Sequence, residues 1–115
     1  MAFVLKADPG SYYWPVSIDV PTDGGRFKRE TFEVEFQTLP QSELEGFQQD
    51  AAEDSMKDSD FCRRVVMGWK NIIDEDGNEL PYSLILFEQM IDLPLVAAAI
   101  TRAYFESLQG RKAKN

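Results

Sequence analysis

The chain has 115 residues, 43% hydrophobic and 12% aromatic, enough for one packed core, with little room for a second domain and too apolar to stay disordered. Its 20 acidic against 12 basic residues leave a net charge of −8. That field repels phosphate backbones and anionic bilayers, so nucleic acid and membrane surfaces are excluded as expected partners, and basic proteins are favoured.

In chain order, the first element is β. Trp14, Val16, Ile18 and Val20 alternate with Pro15, Ser17 and Asp19, the pattern of a half-buried strand, and Pro15 points to an edge. Pro21, Thr22, Asp23, Gly24 and Gly25 form a turn, since Asp and Gly tolerate positive φ. Phe32, Val34 and Phe36 then share one strand face, with Glu33 and Glu35 on the other. Phe27 has the opposite parity, which predicts a bulge or bend near Arg29. Together these residues predict one long antiparallel hairpin, which is marginal in water alone and must pack on helices or pair with another chain.

Leu39 and Pro40 end the second strand. Ser42 and Glu45 read as a capping box opening a helix with Leu44, Phe47 and Ala51 on one face. Gly46 and the acidic Asp50, Glu53 and Asp54 weaken it, and fraying is expected by Ser55. Asp58, Ser59 and Asp60 supply a fresh cap for a helix in which Phe61, Val65 and Trp69 stack at four-residue spacing, ending near Lys70 and Asn71. Ile72 and Ile73, the acidic turn Asp74 to Glu79 and Leu80 read as a small tight-turn hairpin, with Asp76-Gly77 as its signal. Pro81 precedes Ser83, the cap of a short amphipathic helix carrying Leu84, Phe87, Met90 and Ile91, with Tyr82 and Leu84 expected to return to the core. Pro94 suits the first turn of a last helix, buried through Val96, Ile100, Ala103, Tyr104 and Leu108 and stopped by Gly110. The expected fold is α+β: an N-terminal antiparallel β-hairpin followed by about four short helices. Residues 1–115 read as a single domain, with a hairpin region over 1–39, a helical region over 40–110 and a basic tail over 111–115.

Catalytic chemistry finds little support. The chain has no histidine, the commonest general base and metal ligand near neutral pH. Its single cysteine, Cys62, permits no internal disulfide and no structural zinc set, and reads as a small core residue beside Phe61. If Gly77 were position six of a calcium loop, Ile72 and Ser83 would fall where Asp and Glu are required. Gly24-Gly25 lacks the rest of a phosphate loop, and Glu33 and Glu35 read as a solvated strand face. No enzyme activity and no cofactor or metal is expected. No signal peptide or bilayer-length apolar run is read, and with one cysteine the expected compartment is the cytoplasm.

Two groups read as candidate partner surface. One is the acidic stretch over residues 43–60, with Glu43, Glu45, Asp50, Glu53 and Asp54, whose field suits a basic helical partner. The other is Tyr12 and Tyr13 beside Trp14, residue types enriched at protein interfaces. The hairpin edge could also pair between copies, giving a homo-oligomer.

The ordered set Trp69, Ile72, Asp74, Asp76, Gly77, Pro81, Tyr82 and Ser83 resembles a segment of one group of phage tail assembly chaperones. In that family a tryptophan precedes a hydrophobic residue three places on, an acidic glycine turn and a Leu/Val-Pro-Phe-Ser-like helix start. Tyr82 stands where phenylalanine is expected. The resemblance extends through Leu93, Pro94, Leu95 and Val96 to the helix bearing Ala103 and Tyr104, covering about residues 61–108. It implies a non-catalytic chaperone that keeps the tape measure protein of a long-tailed phage or prophage soluble in the bacterial cytoplasm during tail morphogenesis, and that is absent from the mature virion. Members of the family are often made in two forms by frameshifting near the gene's end. The alternative expectation, resting on charge alone, is an acidic regulatory or adaptor protein, for example a DNA mimic that occupies a basic site on a host or phage protein.

Overall fold

The computed structural model describes residues 2–8, 10–52 and 57–110, with side chains 48–52 set aside. The architecture is α+β: an N-terminal β-hairpin extended to three strands, with four helices. Strands β1 (Ser11–Thr22) and β2 (Arg26–Gln37) form the hairpin. Helices α1 (Gln41–Ala52) and α2 (Asp58–Val65) follow, then strand β3 (Val66–Lys70) and helices α3 (Leu84–Ile91) and α4 (Val96–Leu108). The sheet order is β1-β2-β3, all antiparallel, so β1 and β3 are the edges.

Alternation decides which face of the hairpin is buried. Val16, Ile18, Phe32, Val34 and Phe36 enter the core, and Tyr12, Trp14 and Val20 pack at its margin. The turn at Asp23, Gly24 and Gly25 has both glycines at positive φ, 80° and 75°. No bulge occurs near Arg29: the pairing runs unbroken from Ser11 opposite Gln37 to Thr22 opposite Arg26. Phe27 keeps its parity because the hairpin tip projects beyond the core, and its side chain stays exposed. The bulge sits elsewhere, between β2 and β3. Glu35 faces Gly68 and Phe36 faces Val66, leaving Met67 as the extra residue.

The largest departure from expectation is Trp69. Helix α2 stops at Val65, and Trp69 lies on β3, buried and opposite Val34. Val65 and Val66 are β-branched, and Gly68 would cost a helix interior about 1 kcal/mol. As a strand, the same residues supply the second edge of β2 with a partner. Gly68 also fits there sterically, since a Cβ at that position would meet a Glu35 carboxylate oxygen at 3.1 Å.

Helix boundaries shift by small amounts. Helix α1 begins at Gln41, with Pro40 C=O accepting from the N–H groups of Glu43 and Leu44, so Ser42 lies inside the first turn and no capping box forms. Lys57, not Asp58, is the cap of α2, and Asp58 and Asp60 fall in its first turn. Ser83 caps α3 as expected, its Oγ accepting from Leu86 N–H at 3.2 Å. Pro94 lies in the connection before α4, whose cap is Leu95 at φ 76°. Gly110, at φ 73°, ends α4, its N–H reaching Ser107 C=O.

A single buried cluster joins the sheet to all four helices. Helix α4 packs on β1 and α2. Tyr104 is its centre, edge-on to Phe36 at 5.0 Å and to Phe61 at 5.3 Å. Phe47 of α1 meets Phe61 at 5.0 Å. Leu84 and Leu108, both expected in the core, are exposed instead. Among the described residues no single helix is long and apolar enough to cross a membrane.

Candidate functional site

The residues from Trp69 to Ser83 form one structural unit. Trp69 Nε1 donates to Leu80 C=O at 2.8 Å, and its ring meets Tyr82 edge-on at 5.0 Å. Tyr82 in turn leans on Phe87 of α3 at 6.0 Å, and burial raises its hydroxyl pKa. Between them Ile72 C=O accepts from Leu80 N–H at 2.8 Å, and Ile73 bridges Glu79, so the small hairpin is present. Asp74 shapes its turn: Oδ1 accepts from the N–H groups of both Asp76 and Asn78 at 2.9 Å. Gly77 sits at φ 86°, a conformation that favours glycine. Pro81 and Pro94 are exposed punctuation of the connections. Tyr104 Oη donates to Gln37 C=O at 3.1 Å and accepts from Leu39 N–H at 3.3 Å, fixing the exit of β2, and burial raises its pKa. These residues place neighbouring elements; the turn's outer surface is what they leave in solvent.

The described residues among those read as partner surface are not brought together. Glu43 forms a two-pronged pair with Arg64, one arm at 2.8 Å, while Glu45 points to solvent. The Asp50 side chain, Glu53 and Asp54 lie outside the described residues. Tyr12 and Tyr13 fall on opposite sheet faces. Tyr12 Oη is 2.7 Å from Ser107 Oγ and its ring is edge-on to Phe36, whereas Tyr13 lies under Lys70 Nζ at 3.8 Å. Trp14 Nε1 is buried without an acceptor among the described residues.

Cys62 is fully buried in α2. Its sulfur donates to Ala97 C=O at 3.4 Å and lies 3.8 Å from Thr101 Oγ1. Burial pushes the thiol up to about 11, which leaves almost no thiolate at neutral pH. Among the described residues no group of three or more His, Cys, Asp or Glu side chains is placed to hold a metal.

A surface that sequence reading missed runs along α3. Leu84 and Ile85 are 71% and 74% exposed, with Ile73 and Leu93 also in solvent on the segments that flank the helix. Phe87 and Ile91 alone point fully inward, so Ile85, Glu88, Gln89 and Asp92 form the outer face. Arg63 holds Glu88 through two 2.8 Å contacts, tying α2 to α3 and keeping the Glu88 carboxyl below its usual pKa. The segment over residues 71–101 contains Asp74, Glu75, Asp76, Glu79, Glu88 and Asp92 and no lysine or arginine. The exposed aliphatic side chains thus lie in a stretch whose own charges are all acidic, with Arg63 of α2 set against it at Glu88. Two signals for this surface are visible in the sequence: the missing basic residues and the run Leu84-Ile85-Leu86-Phe87, which no single helix face can bury.

Compared with protein-family models, with curated proteins and with solved structures, the chain matches none.

Proposed function

We propose that the chain is a non-catalytic binding protein of the tail assembly chaperone kind, which holds the tape measure protein of a long-tailed phage or prophage soluble while the tail is built. The observation that carries this reading is the α3 surface: Leu84 and Ile85 exposed at the helix start, within a stretch that is acidic throughout. Contiguous exposed aliphatic groups with a charged rim favour a protein ligand, because burying them against a partner removes apolar area from water. The acidic stretch selects a partner whose helix flanks its apolar stripe with Lys and Arg. The ordered resemblance over residues 69–83 supports the family assignment, and its residues build the turn and the helix start that present this surface.

Co-expression with the tape measure protein encoded nearby tests the proposal. The expected result is a soluble complex that co-purifies. A client that remains insoluble, with nothing bound to the chain, rejects the reading.

A further inference from the structure

A groove of about 480 Å³ runs between the free edge of β1 and α4. Its floor is Ala98, Ala99 and Ala103, with Leu95 at one end. Ser17 and Asp19 form the strand wall. The backbone of that wall has unused donors. Thr38 N–H donates to Gly10 C=O, one step past the Ser11–Gln37 pair. Hydrogen-bonded pairs recur at every second residue of an antiparallel ladder, so the even-numbered residues of β1 bond to β2 and the odd-numbered ones face outward. Pro15 and Pro21 are both odd-numbered, as prolines on an edge must be if no ladder bond is lost. Between them only Ser17 and Asp19 offer outward N–H and C=O groups, and these two line the groove.

The same chain carries a segment suited to it. Ahead of β1, Phe3, Val4 and Leu5 are irregular and 90%, 70% and 89% exposed. Three successive apolar side chains in solvent have every reason to be buried elsewhere. Turned back on its own β1 through the shortest turn, the segment would set residue 2 opposite Val16 and residues 3–5 opposite residues 13–15, short of Ser17. A second copy offers the groove to it with no such constraint.

We infer that the segment containing Phe3, Val4 and Leu5 of one copy adds as a strand to the Ser17–Asp19 edge of a second copy, beside α4. Phe3 and Leu5, on one strand face, cover the alanine floor. Val4 and Lys6 fall on the other face, which brings Lys6 to the side that carries Asp19. The rim accepts such a neighbour despite the net charge: Asp19 and Glu106 are matched by Arg29 and Arg102, and Arg102 forms no ion pair among the described residues. Edge-to-edge pairing of two β1 strands is disfavoured. With α4 seated on the edge strand, it would bring two helices to roughly one strand spacing, about 4.8 Å, where packed helices need about 8–10 Å. The contact is therefore head-to-tail, a different surface from each copy. It does not depend on the client reading.

Light scattering across a concentration series should show a mass that rises above one chain. The double variant Phe3→Asp/Leu5→Asp should weaken association by about a hundredfold or more, as should Ala98→Trp, placed at an exposed position of the floor. The deciding arm mixes the two variants. One keeps an intact groove and the other an intact segment, so together they should form a one-to-one pair although each alone stays monomeric. In the unmodified chain, amide exchange at Ser17 and Asp19 should slow as concentration rises, which reads the contact without any substitution. A mass independent of concentration, oligomers that survive either variant, a mixture that does not pair, or unchanged exchange at Ser17 and Asp19 would each overturn the inference. A two-fold β1–β1 dimer would appear as oligomers of Phe3→Asp/Leu5→Asp and would likewise overturn it.

Discussion

Replacing Leu84 and Ile85 together by serine separates partner binding from folding. Full burial of either side chain is worth about 1.5–3 kcal/mol. In the free chain they are 71% and 74% exposed, so most of that stabilisation is still available to a complex. If the client covers both, each contributes about 1.5 kcal/mol, and the pair about 3 kcal/mol, or roughly a hundredfold in Kd. The folded chain should change little, because both side chains are exposed and the Ser83 cap is kept, and exposed substitutions usually change stability by less than about 0.5 kcal/mol each. Titration calorimetry against the soluble client segment measures the first quantity and a thermal melt the second. A hundredfold loss of affinity with an unchanged melting temperature is the expected result. Unchanged affinity in a variant that melts normally would remove α3 from the interface and refute the argument from exposure.

Three further outcomes test how the fold is held. Tyr104→Phe leaves the buried Leu39 N–H and Gln37 C=O without their partner, so it should cost about 2 kcal/mol and lower the melting temperature by roughly 10 °C in calorimetry. The Cys62 thiol sets an alkaline limit: the unfolded thiol ionises from about pH 9, while the folded one keeps its proton to about 11, so the unfolded state binds fewer protons in that window and stability falls with rising pH. The fall amounts to about 2–3 kcal/mol, seen in denaturant midpoints between pH 9 and 11, and should be smaller in Cys62→Ala. Asp74→Ala removes the acceptor for two turn N–H groups and should lower the urea midpoint by the equivalent of about 1 kcal/mol, whereas Asp74→Asn keeps an acceptor oxygen and should lose less.

How far the sequence foretold the fold depends on whether local pattern or a distant partner decides each element. The hairpin was legible because Val16, Ile18, Phe32, Val34 and Phe36 alternate against a single buried face. The Ser83 cap and the Gly110 stop were legible because each rests on local backbone chemistry. Trp69 was misplaced because a spacing of four suits both structures: it stacks residues on a helix and also, being even, sets them on one strand face. Gly68 and the Val65-Val66 pair favoured the strand, but what completes it is the second edge of β2, a partner about 30 residues away that periodicity does not reveal. Leu84 was misplaced for a different reason. It shares the helical face of Phe87 and Ile91, but as the first residue of α3 it lies at the end of that face and stays exposed.

The candidate surfaces were less legible because charge counted along a chain does not say where the charges meet. Glu43 is paired with Arg64, and Tyr12 and Tyr13 part to opposite faces. The α3 surface and the groove beside β1 have two different electrostatic characters. The α3 surface lies in a stretch with six carboxylates and no basic residue of its own, Arg63 of α2 pairing with Glu88, whereas the groove beside β1 sets Asp19 and Glu106 against Arg29 and Arg102. The two should therefore answer salt differently. Screening shortens from about 10 Å at 0.1 M to about 3 Å at 1 M, which weakens attraction between a basic client and α3. It leaves apolar burial of Phe3 and Leu5 over the alanine floor nearly untouched, because opposed charges at the rim cancel before salt acts. Raising salt from about 0.1 M to 1 M should accordingly weaken client binding while the mass measured by light scattering holds or rises. Parallel loss of both would mean that one charged surface serves the two contacts, and the separation argued from these residues would fail.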